Sequence, residues 1–227
     1  PIAFAATGNL TAAWTLWDGV RHVVQSALLP KGATSWGPVA TLSGPTSDGL
    51  YISLAVNARG DAAVAFTISP YTSYSTGTNA QYVFRSGPNG SWTAPVIISE
   101  TLMSWVGYVT GPQVALDASG LATVIYFAYG VEATRQLSSN SWTTPQTILQ
   151  AATAGSSYLS PDVAIDEAGN AVAAVSIFDA TVGVDRASVW VTQGTPAGVW
   201  SQQQRLTDPT VRSEEHTSEL QSRQYLV

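Results

Sequence analysis

Residues 163–175 read VAIDEAGNAVAAV. Apolar side chains alternate, a short polar turn closes on Gly169, and apolar side chains alternate again. A period of two on both sides of a turn whose glycine can take positive φ predicts a β-hairpin. The pattern occurs three times earlier: IAFAATGNLTAAW at 2–14, LAVNARGDAAVAF at 54–66 and VALDASGLATVIY at 114–126, with Gly8, Gly60 and Gly120 at the turns. Recurrence at about 50–60 residues per unit marks a repeat architecture.

A second element follows each hairpin. SWGPVATL starts at Ser35, SWTAPVII at Ser91, SWTTPQTI at Ser141 and VWSQQQRL at Val199, so Trp36, Trp92, Trp142 and Trp200 recur in step. Proline after three of these tryptophans suits an outer edge strand, where a missing N–H donor matters least. Between hairpin and Trp strand lies a further apolar stretch, such as HVVQSALL, AQYVFRS or RASVWVT. Each unit therefore holds four strands, a to d. The absence of any 3.6-residue period excludes α/β folds. The expected fold is all-β: a β-propeller fragment of four four-stranded antiparallel blades, at about residues 1–45, 46–102, 103–151 and 152–211. Both ends read as cut, which makes the four blades an arc of a larger ring of six to eight. An open arc leaves the sheet faces of its end blades uncovered.

Composition narrows the function. Of 227 residues, 45% are hydrophobic and only 11% charged, against about 25% charged in ordinary soluble domains. Lys31 is the single lysine, and the net charge is −6. A basic footprint for nucleic acid is absent. No run of about 18 apolar residues predicts a membrane span. The chain has no cysteine, hence no disulfide and no thiolate metal site. These features fit a protein acting outside a cell or at its surface. The opening at Pro1 carries no signal peptide, and the start of the gene product is expected to be missing.

The charged ending RSEEHTSELQSRQYLV, residues 212–227, breaks the pattern. It matches one reading frame of a widely used sequencing adapter and is set aside from fold reasoning. The tail is expected to pack on nothing, leaving Leu220 unburied.

PDVAIDEAGNAVAAV resembles the D-x-x-G-N hairpins of many bacterial secreted propellers. FRSGPNGSWTAPVIIS resembles the Asp-box turn, S-x-D-x-G-x-T-W, of sialidase-like propellers, although the Asp is missing in all four units. The resemblance covers nearly all of residues 1–211 and implies a propeller fold. Asp-box turns are structural, so it does not by itself imply activity. Sialidase action, in that family, needs three arginines on the substrate carboxylate, a tyrosine nucleophile with a glutamate partner, and an aspartate acid/base. Bidentate geometry explains the demand for arginine. The inner strands a, reading IAFAA, ISLAV, VALD and VAID, contain no arginine. Arg85 and Arg135 each lie seven residues before a unit tryptophan, and Arg21 and Arg186 fall on or beside strand c. Such recurrence points to surface or inter-strand roles. Asp117 and Asp166 open the a–b turns and read as turn residues bonding nearby backbone N–H groups. His22 reads as a lone histidine on strand c, neither a triad member nor a metal ligand. No cofactor motif is present.

One asymmetry suggests a ligand. In a propeller the b–c and d–a loops share one face. The b–c connections hold Trp17, Tyr71, Tyr74, Tyr129 and Phe178, and the d–a connections hold Tyr51, Trp105, Tyr108 and Tyr158. The a–b turns hold no aromatic. Asp18, Asp48, Glu100, Asp162 and Asp179 fall on the aromatic side. Aromatic rings with polar tips suit sugar stacking or protein contact. The expected site is therefore Trp17, Tyr71, Tyr74, Trp105, Tyr108, Tyr129 and Tyr158, binding a glycan or a protein. The leading reading is a non-catalytic exported binding module. The alternative is a fragment of a sialidase-like glycoside hydrolase whose catalytic residues lie in missing blades.

Overall fold

The computed structural model describes residues 1–70, 79–99, 111–128, 130–150, 157–179 and 186–207. Strands and turns, with no helix, make up these residues. The first sheet holds β1 (Ile2–Phe4), β2 (Leu10–Trp17), β3 (His22–Leu29) and β4 (Ala40–Thr41), side by side in chain order. The second repeats this order with β5 (Ser47–Val56), β6 (Ala62–Pro70), β7 (Asn79–Arg85) and β8 (Val96–Ile97). In the third, β9 (Gln113–Leu116), β10 (Ala122–Phe127) and β11 (Val131–Ser138) follow one another. Its outer place is shared by β12 (Ser141–Trp142) and β13 (Gln146–Leu149), both paired with β11. The fourth holds β14 (Ser157–Ile165), β15 (Ala171–Asp179), β16 (Arg186–Gly194) and β17 (Gln204–Arg205). Every pairing is antiparallel, as the meander of a propeller blade requires.

The turn glycines explain why each hairpin closes where it does. Gly8, Gly60, Gly120 and Gly169 adopt φ of 88°, 86°, 85° and 90°. A side chain is strained in that region, and glycine is not. Asp117 Oδ1 accepts from the backbone N–H groups of Ser119 and Leu121 at 2.8 and 2.9 Å, and Asp166 Oδ1 accepts from Asn170 N–H at 2.8 Å. The expected aspartate turns are therefore formed.

Alternation delivers one face of each sheet to the preceding sheet and the other to the next. Ala13 and Val24 of the first sheet meet Val64, Phe66 and Val83 of the second. Ala63, Ala65 and Tyr82 then meet Val114, Val124 and Tyr126 of the third. Ile125, Phe127 and Val131 meet Val163, Ala173 and Val175 of the fourth. Three of the recurring tryptophans join these contacts, since Trp92, Trp142 and Trp200 each pack into the core shared with the preceding sheet.

Of the surface and inter-strand roles read from their spacing, Arg85 and Arg135 take the second, because both are buried. Arg85 donates from its guanidinium to Thr11 Oγ1 of the first sheet at 2.9 Å and lies over the Trp92 ring at 5.1 Å. Arg135 is ion-paired with Asp117, donates to Leu121 O and Thr123 Oγ1, and reaches Pro196 O of the fourth sheet. The turn glycine of the next sheet rests on this pair: a Cβ on Gly169 would lie 2.8 Å from the Arg135 guanidinium. Gly120 sits in the same way on Arg59 and Asp61 of the second sheet, with 2.9 Å from its Cβ position to Asp61 Oδ2. The a–b turn end is thus fastened by two charge pairs that successive turns cover, Arg135–Asp117 buried and Arg59–Asp61 with its arginine exposed. The expectation for residues 212–227, Leu220 included, lies outside the described residues.

Candidate functional site

The opposite end of the first sheet carries a small cluster built by one hairpin. β2 ends at Trp17 and β3 starts at His22, and the two are paired across the strands. Asp18 shapes the turn between them. Its Oδ1 accepts from the N–H groups of Val20 and Arg21 at 2.8 and 2.9 Å, and its own N–H donates to Arg21 O at 3.0 Å. Those amides, Arg21's first and Val20's next, hold the Asp18 carboxyl below its ordinary value against a small opposing effect of burial. Gly19 supplies the left-handed step, φ 101°. Arg21 stands over the turn with Nε 3.8 Å from Asp18 Oδ2.

Cross-strand pairing brings the rings of Trp17 and His22 together, centroids 5.0 Å apart and tilted by 58°. Trp17 remains 53% exposed. His22 is held from beneath by Asp48 of β5, only 2% exposed. Asp48 Oδ1 accepts the His22 backbone N–H at 2.5 Å and lies 3.2 Å from ring Nδ1. An ionised carboxylate only accepts, so this contact assigns the proton to Nδ1 and leaves Nε2 as an acceptor in the neutral ring. Gly49 permits the approach: a Cβ there would lie 2.6 Å from Val24 Cγ2. The result is an indole platform beside an imidazole of fixed orientation, suited to a ligand with an apolar face and a hydroxyl to donate.

This corrects two readings of the sequence. His22 is not alone, and Asp48 is buried beneath it rather than displayed on a loop. The partners are 26 residues apart and belong to different sheets, so no motif spacing joins them. The nearest signal is the Asp48-Gly49 step, where a glycine inside a strand marks a close approach.

Of the expected site residues, Trp17 is placed at this end and exposed. It closes β2 rather than lying in a loop. Tyr158 lies within β14, its backbone opposite Ile177, so it is a strand residue and not part of a connection. Tyr51 and Phe178 also fall in strands, β5 and β15. Tyr51 is exposed, with φ 50°, beside a register break between Leu50 and Ser53. Strands here run further toward this end than the turn-residue content suggested. Tyr71, Tyr74, Trp105, Tyr108 and Tyr129 lie outside the described residues. No group of three or more metal-ligating side chains occurs among the described residues.

Four antiparallel sheets of four strand positions, packed face to face in chain order, define a β-propeller. Solved structures agree. The chain is similar to an ulvan lyase described as a new polysaccharide lyase family, with TM-score 0.60 and 9% identity over 90% of this chain and 55% of that one. The same values hold for that enzyme bound to -[GlcA(1-4)Rha3S]-. A point mutant of NanB sialidase from Streptococcus pneumoniae gives TM-score 0.50 and 7% identity over 93% of this chain and 51% of that one. The chain thus spans about half the length of these structures. No family model matches the sequence, and no curated protein matches it.

Proposed function

We propose that this chain is the ligand-binding arc of an exported propeller of six to eight blades, and that it binds carbohydrate without transforming it. The observation that carries this reading is the exposed Trp17 ring set against His22, whose orientation Asp48 fixes. Indole faces bind the C–H faces of sugars, and a fixed imidazole chooses among their hydroxyls. The similar structures include an enzyme seen with a bound oligosaccharide, which supports a carbohydrate ligand. Low charge supports action at or beyond the cell surface. Trp105, Tyr108, Tyr71, Tyr74, Tyr129 and Tyr158 are proposed to extend the same surface.

The competing reading is a fragment of a sialidase-like hydrolase whose catalytic residues lie in missing blades. Arg85 and Arg135 are committed to Thr11, Asp117 and the neighbouring sheets. Neither of these two arginines is therefore free to grip a substrate carboxylate.

A glycan array probed with the whole chain tests the proposal. Replacing Trp17 by alanine is expected to weaken capture of the bound glycan about tenfold, or about 1.4 kcal/mol. Trp105→Ala is expected to act in the same direction. Neither should alter the far-ultraviolet circular dichroism. Undiminished capture by Trp17→Ala refutes the site, and release of reducing ends from the bound glycan refutes the non-catalytic reading.

A further inference from the structure

Among the described residues, Tyr51 in β5 is the one non-glycine residue with a left-handed backbone, φ 50°. A residue with a Cβ is strained there, and such strain gathers at ligand sites. Tyr51 and Ile52 together stand opposite Phe66, between the pairs Leu50–Thr67 and Ser53–Ala65, so Tyr51 opens a β-bulge. Bulges re-aim side chains. The side chain gains no burial in return, since Tyr51 is 57% exposed. The bulge itself belongs to the repeat: in the fourth sheet Ser160 and Pro161 stand opposite Val175 in the same way. Nine residues before the turn glycine, the second, third and fourth sheets place Tyr51, Gly111 and Ser160. A small residue therefore suffices for the fold, and the large side chain of Tyr51 is the exception.

The first strands β1, β5, β9 and β14 neighbour one another in succession and so line the propeller axis. Tyr51 sits where β5 meets β9. Gly111, just before β9, lies against the Tyr51 backbone, and a Cβ on it would overlap Tyr51 Cβ. Two residues on, Gln113 Oε1 accepts from Ser53 Oγ at 3.3 Å, and Ser53 Oγ accepts from the Val114 N–H at 3.2 Å. Gln113 is thereby held through its oxygen, and its two N–H donors have no partner among the described residues. The second sheet has a packed neighbour on each side, so Tyr51 is exposed at an edge that the fold leaves open toward the axis. An exposed phenol ring with amide donors beside it suits the C–H face and the hydroxyls of a sugar.

We propose that Tyr51 and Gln113 form a second sugar subsite beside the Trp17–His22 pair, and that the ligand is an oligosaccharide lying across both. The inference rests on the carbohydrate reading of the Trp17 site. Strand β5 joins the two subsites. Asp48, which orients His22, precedes Tyr51 by three residues, or about 10 Å of strand. That separation exceeds one sugar ring, so the two platforms call for a chain. Once one end is bound, the other binds as an intramolecular event, so affinity rises with chain length. The strained backbone at Tyr51 serves to present the aromatic side chain, not to stabilise the sheet.

The probe is an array of neutral and uronate-containing oligosaccharides, each spotted as a ladder from monosaccharide to hexasaccharide and read with the whole chain. Capture by the parent chain should rise with length. Tyr51→Asn is the informative variant, because asparagine tolerates the left-handed region and keeps a Cβ against Gly111. It should lower hexasaccharide capture about tenfold and flatten the length dependence. Gln113→Leu should act in the same direction. The urea midpoint of Tyr51→Asn should equal or exceed that of the parent, since strain is relieved and little burial is lost. A lowered midpoint overturns the proposal, because it makes Tyr51 a prop of the fold. Capture that does not depend on length overturns it too. Capture that falls with Trp17→Ala but with neither Tyr51→Asn nor Gln113→Leu overturns the second subsite and leaves the Trp17 reading standing. Capture indifferent to Trp17→Ala refutes that reading, and the spanning chain with it. No capture at any length refutes both.

Discussion

Replacing Asp117 by alanine should cost about 3–5 kcal/mol of stability, because it leaves the buried Arg135 guanidinium without its counter-charge. Arg135 and Asp117 are 2% and 5% exposed at their side chains. The surrounding partners, Leu121 O, Thr123 Oγ1 and Pro196 O, are dipoles that cannot neutralise a full charge. The loss should also reach the fourth sheet, since Gly169 packs on the pair. Urea titration followed by circular dichroism measures it. The double variant Asp117→Ala/Arg135→Met should recover most of the loss, because apolar replacement of a whole buried pair is often neutral. A loss under about 1 kcal/mol for the single variant, the usual value of exposed pairs, refutes the buried-charge argument.

The same carboxylate gives the fold an acid limit. Burial works against the charged form of Asp117. Hydrogen bonds from Ser119, Arg135 and the Leu121 amide, with the nearby guanidinium, outweigh it and hold the carboxyl below its ordinary value. A group lowered in the folded state binds its proton more readily when unfolded. Its stabilisation is therefore complete above about pH 4 and drains away as pH falls through the folded value. Asp61 behaves alike: burial opposes, and Asn57, Arg59 and the Gly87 amide prevail. Asp117→Ala should accordingly flatten the acid limb of the stability curve relative to the parent chain.

Replacing Phe66 by alanine should cost about 3–5 kcal/mol as well, through the cavity it leaves. Phe66 is fully buried between the first two sheets, packed with Ala13, Val24, Val64 and Val83. Close packing leaves those neighbours little room to collapse inward. Trp14 provides the comparison, since it holds the same repeat position on the open face of the first sheet. Trp14→Ala should cost about 1 kcal/mol or less. Equal losses at Phe66 and Trp14 would show that the outer face of the first sheet is covered.

Much of this architecture is local, and the sequence determined it. Period-two alternation on either side of Gly8, Gly60, Gly120 and Gly169 fixes four hairpins, because only glycine takes their φ without strain. The step of Trp36, Trp92, Trp142 and Trp200 marks the fourth strand of each unit. Both signals act within one unit, where chain neighbours are spatial neighbours. Strand length was less legible: Trp17, Tyr51 and Tyr158 lie in strands because pairing with a neighbour carries the ladder past residues of no clear alternation. Tertiary structure alone decided what depends on two units at once. Arg135 reads as a surface or an inter-strand charge until Pro196 and Gly169 close over it. His22 looks solitary until β5, positioned by the packing of the second sheet on the first, brings Asp48 to its Nδ1. Burial is a property of the space between sheets, and single-unit spacing does not encode that space.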